Sequence, residues 1–151
     1  MKNTLILVSA CLAGECCRYD GMAKSCPAIE ALVKTGQAVP FCPEVKGGLT
    51  IPRPPAEIQG GTGADVLAGQ ARVINVNGQD VTEAYVRGAK LGVKLAKQLG
   101  VHRAILKEKS PACGTQLIYD GSFERRLRPG QGVWAAALAA AGVAVENEDR
   151  L

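Results

Sequence analysis

Aromatic side chains are scarce in this chain of 151 residues, where phenylalanine, tryptophan and tyrosine together make up 4%. The core must therefore be built from aliphatic residues. Long hydrophobic runs are absent as well: the longest, residues 133–145, contains a glycine and falls short of the roughly 20 apolar residues of a membrane-spanning helix. The apolar run at residues 5–8 is shorter than the roughly 7 to 15 residues of a secretory signal. These absences predict a cytoplasmic protein with no membrane segment.

The chain has six cysteines but no C-x-x-C pair. Zinc ribbons, zinc fingers and thioredoxin-type dithiols all depend on that close spacing, so its absence argues against these three classes. Because the cytosol keeps thiols reduced, structural disulfides are not expected either. The cysteines are therefore candidates for metal binding or catalysis.

The composition is otherwise that of an ordinary globular protein. Hydrophobic residues make up 47% of the chain and charged residues 21%, which excludes disordered, collagen-like and coiled-coil classes. The net charge of +4 suits a small anionic ligand or loose contact with RNA, but by itself it does not indicate a nucleic-acid-binding protein. The length, near the commonest size for one compact unit, predicts a single domain over residues 1–151.

Short β-branched runs alternate with helical segments along most of the chain. This alternation predicts an α/β fold, a three-layer sandwich with a mainly parallel sheet and flanking helices. An Asn-Gly pair after one strand is typical of a turn into a short return strand. The predicted strands are residues 4–10, 38–42, 72–76, 103–108 and 143–146, and the predicted helices are residues 27–35, 81–99 and 133–141.

Two segments carry further expectations. Glycine and proline interrupt any period between residues 43 and 69, which predicts a long loop that covers a substrate or cofactor. Asp80 is the predicted N-cap of the helix at residues 81–99. Gly88 and Gly92 lie one turn apart in this helix and predict that it packs close to the sheet.

Three of the cysteines follow predicted strands. Cys11 follows the first strand, Cys42 ends the second, and Cys113 comes shortly after the strand at residues 103–108. Because ligands of open α/β sheets bind at the carboxyl ends of the strands, these thiols are expected to meet at one edge. Three thiolates can hold three irons of a [4Fe-4S] cluster and leave the fourth iron open to a soft donor such as substrate sulfur. The alternative is three ordinary buried cysteines, a common environment for this residue type.

Two polar residues lie close to these cysteines in the sequence. Glu44 comes two residues after Cys42 and is a candidate general acid or base; the alternative is a solvated surface carboxylate. Ser110 shortly precedes Cys113 and is a candidate hydrogen-bond donor to a substrate, or else it only ends a turn. A basic set near the third cysteine either attracts an anionic nucleobase or phosphate or forms a solvated rim. It comprises Lys107, Lys109, Arg125, Arg126 and Arg128.

The other cysteines and one recurring tripeptide carry weaker expectations. Cys17 is expected either near the site or in a structural role, whereas Cys16 and Cys26 are not expected to take part. The tripeptide Y-D-G occurs at residues 19–21 and again at residues 119–121. It is too short to indicate a duplication, and Asp-Gly turns are common.

Several segments form a set that is specific when its members are taken together. They are S-A-C-L-A-G and C-R-Y-D-G within residues 9–21, V-P-F-C-P-E-V-K-G-G-L and P-R-P-P-A-E-I within residues 39–58, D-V-T at residues 80–82, L-K-E-K-S-P-A-C-G and Y-D-G-S-F within residues 106–123, and G-V-A-V-E-N-E at residues 142–148. With these motifs the chain resembles the small bacterial thiouracil desulfidase family over nearly its whole length. Two departures are visible: Ala13 stands where the family often has leucine, and Ala112 where it often has serine.

The resemblance implies a [4Fe-4S] cluster held by Cys11, Cys42 and Cys113, with substrate sulfur captured at the open iron. It also implies Glu44 as the acid or base and Ser110 as an assisting polar residue. The expected substrate is a small thiolated nucleobase of the 2-thiouracil or 4-thiouracil type, cleaved to uracil and sulfide. Two alternatives are a non-catalytic zinc or iron-sulfur binding module and the desulfuration of thiolated tRNA. The modest charge favours a free base over RNA.

Overall fold

Strands and helices alternate along the computed structural model, which describes residues 5–150; Thr4, the first residue of the predicted first strand, lies outside this range. The strands are β1 (Ile6–Ser9), β2 (Ala38–Phe41), β3 (Ala56–Gln59), β4 (Arg72–Asn75), β5 (Arg103–Leu106), β6 (Leu117–Tyr119), β7 (Leu127–Pro129) and β8 (Ala144–Asn147). The α-helices are α1 (Pro27–Lys34), α2 (Pro43–Lys46), α3 (Gly63–Leu67), α4 (Thr82–Leu99) and α5 (Val133–Ala140), and 3-10 turns cover Ala10–Ala13 and Glu148–Arg150. None of the helices within residues 5–150 combines the length and the apolar character needed to cross a membrane.

Strands β1, β2, β5 and β8 form the main sheet in the order β2-β1-β5-β8. All three pairings are parallel, which confirms the predicted mainly parallel sheet. The chain moves from β1 to β2 on one side and later returns to β5 on the other side, so the direction of winding reverses between β1 and β5. Such a switch point opens a crevice at the carboxyl ends of the strands, where ligands of open α/β sheets bind.

Helices cover both faces of the main sheet, which confirms the predicted three-layer α/β sandwich. In β1, Leu7 belongs to the core cluster shared with α4 and α5, whereas Ile6 and Val8 belong to the cluster shared with α1. This alternation follows from the two-residue period of a strand, and a strand covered on both faces has to be apolar throughout. Trp134 of α5 is fully buried and packs on Phe41, with the ring centroids 5.2 Å apart. Two of the chain's few aromatic rings therefore complete a mostly aliphatic core.

The segment at residues 43–69, predicted as a long loop, instead contains α2, β3 and α3. Pro43 supplies the first residue of α2 with a preset backbone angle. A capping box starts α3, because the side chains of Thr62 and Asp65 each bond to the other's backbone amide. The prediction was wrong because each element has only four or five residues. Elements this short show no period between flanking glycines and prolines.

Two small antiparallel sheets lie beside the main one. Strand β4 was predicted, but its partner is β3 and not a return strand after the Asn-Gly turn. In place of the predicted return strand, the chain after the turn forms an isolated antiparallel β-bridge, between Ile74 and Asp80. The hairpin of β6 and β7 was not predicted; each of its strands has three residues, and partner pairing rather than local pattern stabilises it.

Helix α4 begins one residue later than predicted and packs on different partners. Asp80 is not its N-cap: the Asp80 carboxylate accepts a hydrogen bond from the backbone amide of Thr82, the first helical residue. A Cβ at Gly88 would collide with the carbonyl oxygen of Pro43, and one at Gly92 would collide with the indole of Trp134. The expected close approach therefore exists, but α4 makes it to α2 and α5 instead of to the sheet.

Candidate active site

A cavity of about 490 Å³ opens at the carboxyl edge of the main sheet. Its walls come from the ends of β1 and β2, from α2 and α4, and from the loop after β5. This is the place that the strand order predicts, because β1 and β5 flank the switch point. All the residues predicted for the site line this cavity; they are Cys11, Cys42, Glu44, Ser110 and Cys113.

The three predicted thiols reach the cavity from separate elements. Cys11 lies in the 3-10 turn directly after β1, Cys42 precedes the first residue of α2, and Cys113 lies in the loop after β5. Cys11 and Cys113 are buried, and Cys42 is half-buried. In the described part of the chain, no three cysteine, histidine or carboxylate side chains are compact enough to hold a single metal ion. A [4Fe-4S] cluster binds its thiolates on different irons and does not need so compact a group.

Burial and neighbouring charges set the protonation of these thiols. Burial raises the pKa of Cys11 from 9.0 to about 11, and Cys42 adds to the increase, whereas Lys107 lowers the pKa. Burial also raises the pKa of Cys113, which a hydrogen bond with Ser9 partly offsets. A bound cation would favour the thiolate form of these two sulfurs, and a metal centre provides one. The donor set fits an iron-sulfur cluster, whose ligands are soft thiolates.

A fourth thiol, that of Cys17, also lines the cavity. Cys17 is buried and hydrogen-bonds Cys42, which lowers the pKa of Cys42 and raises the pKa of Cys17. The Sγ atom of Cys42 also lies 3.9 Å from the carbonyl oxygen of Cys17. Cys16 is exposed and Cys26 is half-buried, and neither lines the cavity. The sequence predicted Cys17 either near the site or in a structural role. The structure places it in the cavity wall beside Cys42.

Glu44 lies in the first turn of α2, and two buried side chains hold its carboxylate. The hydroxyl of Tyr85 donates a hydrogen bond to Oε1 of Glu44 at 2.5 Å. Nε of Arg53 donates to the same oxygen at 3.4 Å as part of an ion pair. Burial raises the pKa of Tyr85 well above 10.0, and the charge of Glu44 raises it further, so this hydroxyl remains a donor. With its side chain only 15% exposed, Glu44 is not a solvated surface carboxylate.

Ser110 shapes the loop that carries Cys113. Its Oγ atom accepts hydrogen bonds from the backbone amides of Ala112 and Cys113, each at 3.1 Å. The hydroxyl hydrogen of Ser110 is therefore left to donate to an acceptor in the cavity. Oγ of Ser9 accepts a hydrogen bond from the amide of Lys107 at 2.9 Å, which ties the end of β1 to the chain after β5.

The predicted basic set divides into residues inside and outside the cavity. Lys107, Lys109 and Arg125 line it, whereas Arg126 and Arg128 do not. Arg126 instead forms an exposed ion pair with Glu124. Two further cations, Arg18 and Arg53, line the cavity, and the cations outnumber the carboxylates Glu44, Glu57 and Glu108 there.

Backbone strain is concentrated at this cavity. The non-glycine residues with positive φ in the described chain are Lys109 (φ 70°), Phe123 (φ 59°) and Arg125 (φ 58°), and all three line the cavity. This left-handed region is unfavourable for residues with a Cβ and is found preferentially at functional sites. The side chain of Glu57 accepts hydrogen bonds from the amides of Gly121 and Phe123, which holds the strained loop in place.

The two Y-D-G tripeptides form the same local structure on different parts of the wall. In each, the aspartate accepts a hydrogen bond at 3.0 Å from the amide two residues further on. The glycines at positions 21 and 121 have positive φ, which a tight turn of this kind favours. Each turn places a tyrosine, Tyr19 or Tyr119, against the cavity.

Arg53 and Tyr85 are site residues that the sequence did not predict. Arg53 lies in the segment that was interpreted as a loop. The available sign of its role was a single arginine flanked by prolines. Tyr85 lies three residues before Gly88 in α4, so both share a helix face. A large aromatic residue on the face that carries the glycines was the available sign that this face packs on another element.

Proteins of one family are similar to this chain over nearly its whole length. The sequence profile described as 2-thiouracil desulfurase matches residues 6–150. A Bacillus subtilis (strain 168) protein described as uncharacterized protein YbbK is 47% identical over 147 residues, which are 97% of each chain. A solved structure described as the [4Fe-4S]-dependent thiouracil desulfidase TudS has 44% sequence identity and a TM-score of 0.87, and the match covers 97% of this chain and 92% of that chain.

Proposed function

Because the chain belongs to the 2-thiouracil desulfurase family, we propose that it converts a thiolated pyrimidine of the 2-thiouracil or 4-thiouracil type to uracil and sulfide. The observation that carries this proposal is that Cys11, Cys42, Cys113 and Glu44 line one cavity. The cavity falls within the roughly 300–1,000 Å³ of small-molecule sites. We place this activity in the cytoplasm and in a single domain that spans the chain.

The thiols of Cys11, Cys42 and Cys113 would hold a [4Fe-4S] cluster, the cofactor on which TudS is described as dependent. When bound, such a cluster supplies an iron with an open position, a Lewis acid suited to a soft sulfur donor. Lys107 and Arg18 lower the pKa of Cys11 and so favour the thiolate that a ligand must provide.

The reaction replaces a carbon-sulfur bond by a carbon-oxygen bond without a net redox change. Glu44 accepts a proton from the water that attacks the ring carbon and gives it to the leaving sulfur, so that the products are uracil and sulfide. Ser110 donates its hydroxyl hydrogen to an acceptor on the pyrimidine ring and orients it. Support comes from the restrained carboxylate of Glu44 and from the two amide bonds that fix Oγ of Ser110.

Anaerobic reconstitution with iron and sulfide tests the function. We expect uptake of about four irons and four sulfides per chain, an iron-sulfur absorption in the visible range, and conversion of 2-thiouracil or 4-thiouracil to uracil with release of sulfide. A protein that binds neither iron nor sulfide would contradict the cluster, and a loaded protein that leaves both thiouracils intact would contradict the activity.

Glu44→Ala tests the proton carrier. The variant should load normally but lose about 10²–10⁴-fold in kcat, because general acid-base catalysis contributes that much. Glu83→Ala on the exposed side of α4 is the matched control and should keep the wild-type rate. Wild-type activity in Glu44→Ala would remove Glu44 from the mechanism.

A further inference from the structure

Arg53 connects parts of the site that are distant in sequence. The residue is 9% exposed, and long charged side chains are rarely buried unless they are paired. Its Nη2 atom donates a hydrogen bond to the carbonyl oxygen of Cys17 at 2.9 Å, and Nη1 donates to that of Thr50 at 3.1 Å. Its Nε atom donates to Oε1 of Glu44. The guanidinium group therefore links three segments by hydrogen bonds: the loop that contains Cys17, the loop that contains Thr50, and helix α2.

Both partners of the Glu44 carboxylate use the same oxygen. Tyr85 and Arg53 donate to Oε1. No residue in the described range hydrogen-bonds Oε2. Since Glu44 lines the cavity, Oε2 is the oxygen left to exchange a proton with water or substrate.

We infer that Arg53 is a positioning residue for desulfidation, which fixes Oε1 of Glu44 together with Tyr85 so that Oε2 serves as the proton-carrying atom. The inference rests on the proposed function. A glutamate side chain has several rotatable bonds, and a displacement of the reacting group by about 1 Å costs about 10²-fold in rate. The planar guanidinium can hold three partners at fixed angles, which a lysine ammonium cannot do. Arg53 therefore acts on kcat through Glu44 and not on substrate affinity.

A double-mutant cycle on the reconstituted full-length enzyme tests this coupling. Arg53→Gln should lower kcat for 2-thiouracil by about 10²-fold while KM changes by less than about threefold. Arg53→Lys should lose only about tenfold, since it keeps the charge but not the three contacts. In the Glu44→Gln background, Arg53→Gln should cause no further loss, because the group through which it acts is already absent.

Two measurements separate positioning from other roles. Visible absorbance and iron content should match the wild type in both Arg53 variants; loss of the cluster in both would make Arg53 a residue of the ligand loops and overturn the inference. A rise in KM with unchanged kcat would make it a substrate contact and overturn it as well. Arg72→Gln, which breaks an exposed ion pair with Asp80, is the control and should have wild-type kinetics.

Tyr85→Phe keeps the test decisive if Arg53→Gln does not fold. It removes the other donor to Oε1 with almost no change in volume, and should lower kcat by up to about tenfold in the wild type but not at all in Glu44→Gln. If Arg53→Gln or Tyr85→Phe lowered kcat equally in the wild type and in Glu44→Gln, this inference would be overturned while the proposed function would stand. A loaded wild type that consumes no thiouracil would overturn the proposed function and this inference together.

Discussion

Glu108 is the buried carboxylate on which the loop of the third cysteine is built. It is 6% exposed, and its oxygens accept hydrogen bonds from the amides of Thr115, Gln116 and Leu117. The side chains of Thr115 and Asn147 donate to it as well. Burial raises the pKa of Glu108, but these hydrogen bonds lower it by more, so the pKa lies below its ordinary value. A charged residue in the cavity wall thus organises the loop through its hydrogen bonds.

Glu108→Gln should destabilise the fold in a pH-dependent way. At neutral pH we expect a loss of about 2–4 kcal/mol in the free energy of unfolding, because an amide group then faces several donors. The lowered pKa means that the carboxylate stabilises the fold above its unfolded pKa, about 4.3. That contribution disappears as the pH falls through the folded value. Urea unfolding of the wild type and of Glu108→Gln should therefore show a difference in the free energy of unfolding that becomes smaller below about pH 4.

The matched control for Glu108→Gln is Glu124→Gln, in an exposed ion pair. This variant should change the free energy of unfolding by less than about 0.5 kcal/mol at either pH. A difference between wild type and Glu108→Gln that stays constant from neutral to acidic pH would contradict the role of the charge.

At the scale of elements, the close contact between α4 and α2 determines the position of Glu44 relative to Tyr85. Gly88 lets the backbone of α4 approach the carbonyl oxygen of Pro43, the residue between Cys42 and Glu44. Tyr85, one turn earlier on the same face, reaches the Glu44 carboxylate from this position. The absence of a side chain at residue 88 therefore determines whether the hydroxyl of Tyr85 can meet its acceptor.

Gly88→Ala should be destabilising although alanine is the better helix former. The propensity gain is about 1 kcal/mol, whereas a Cβ that collides with backbone forces a shift of two packed elements, which costs about 1–3 kcal/mol or more. We expect a lower thermal midpoint and a reduced kcat, measured by calorimetry and by the desulfidation assay. Lys90→Ala on the exposed side of α4 is the control, and a Gly88→Ala variant more stable than wild type would contradict the close contact.

At the scale of the whole molecule, the modest net charge and the cavity volume of about 490 Å³ suit a small substrate. The net charge is +4, and the cations that line the cavity share its lining with carboxylates. A polyanion that bound by phosphate contacts would release counterions, and its affinity would fall steeply with salt. A free thiolated base makes no such contacts.

Activity on free 2-thiouracil should therefore depend weakly on salt. Between 50 and 200 mM potassium chloride we expect kcat/KM to change by less than about threefold, whereas a protein with 6–10 phosphate contacts would lose about 10³–10⁵-fold in affinity. The comparison substrate is thiolated tRNA in the same buffers. Faster turnover of the tRNA at low salt, with a steep decline on addition of salt, would favour the RNA alternative.

The sequence alone determined the main sheet, the long helices and the three thiols after the strands. Strands buried on both faces must be apolar throughout, and helix α4 is a long segment that ends at Gly100, so these elements are visible in local patterns. The position of Cys11 and Cys42 at strand ends then follows from topology, because parallel strands end at the same edge.

Tertiary structure alone decided the short elements and the environment of the carboxylate. Strands β3, β6 and β7 have only three or four residues and exist because a partner supplies their hydrogen bonds. Glu44 meets Arg53 and Tyr85 across 9 and 41 positions of sequence, respectively. Such contacts arise when α2 and α4 pack together, since burial and the need to pair a buried charge act between elements and leave no local periodic pattern.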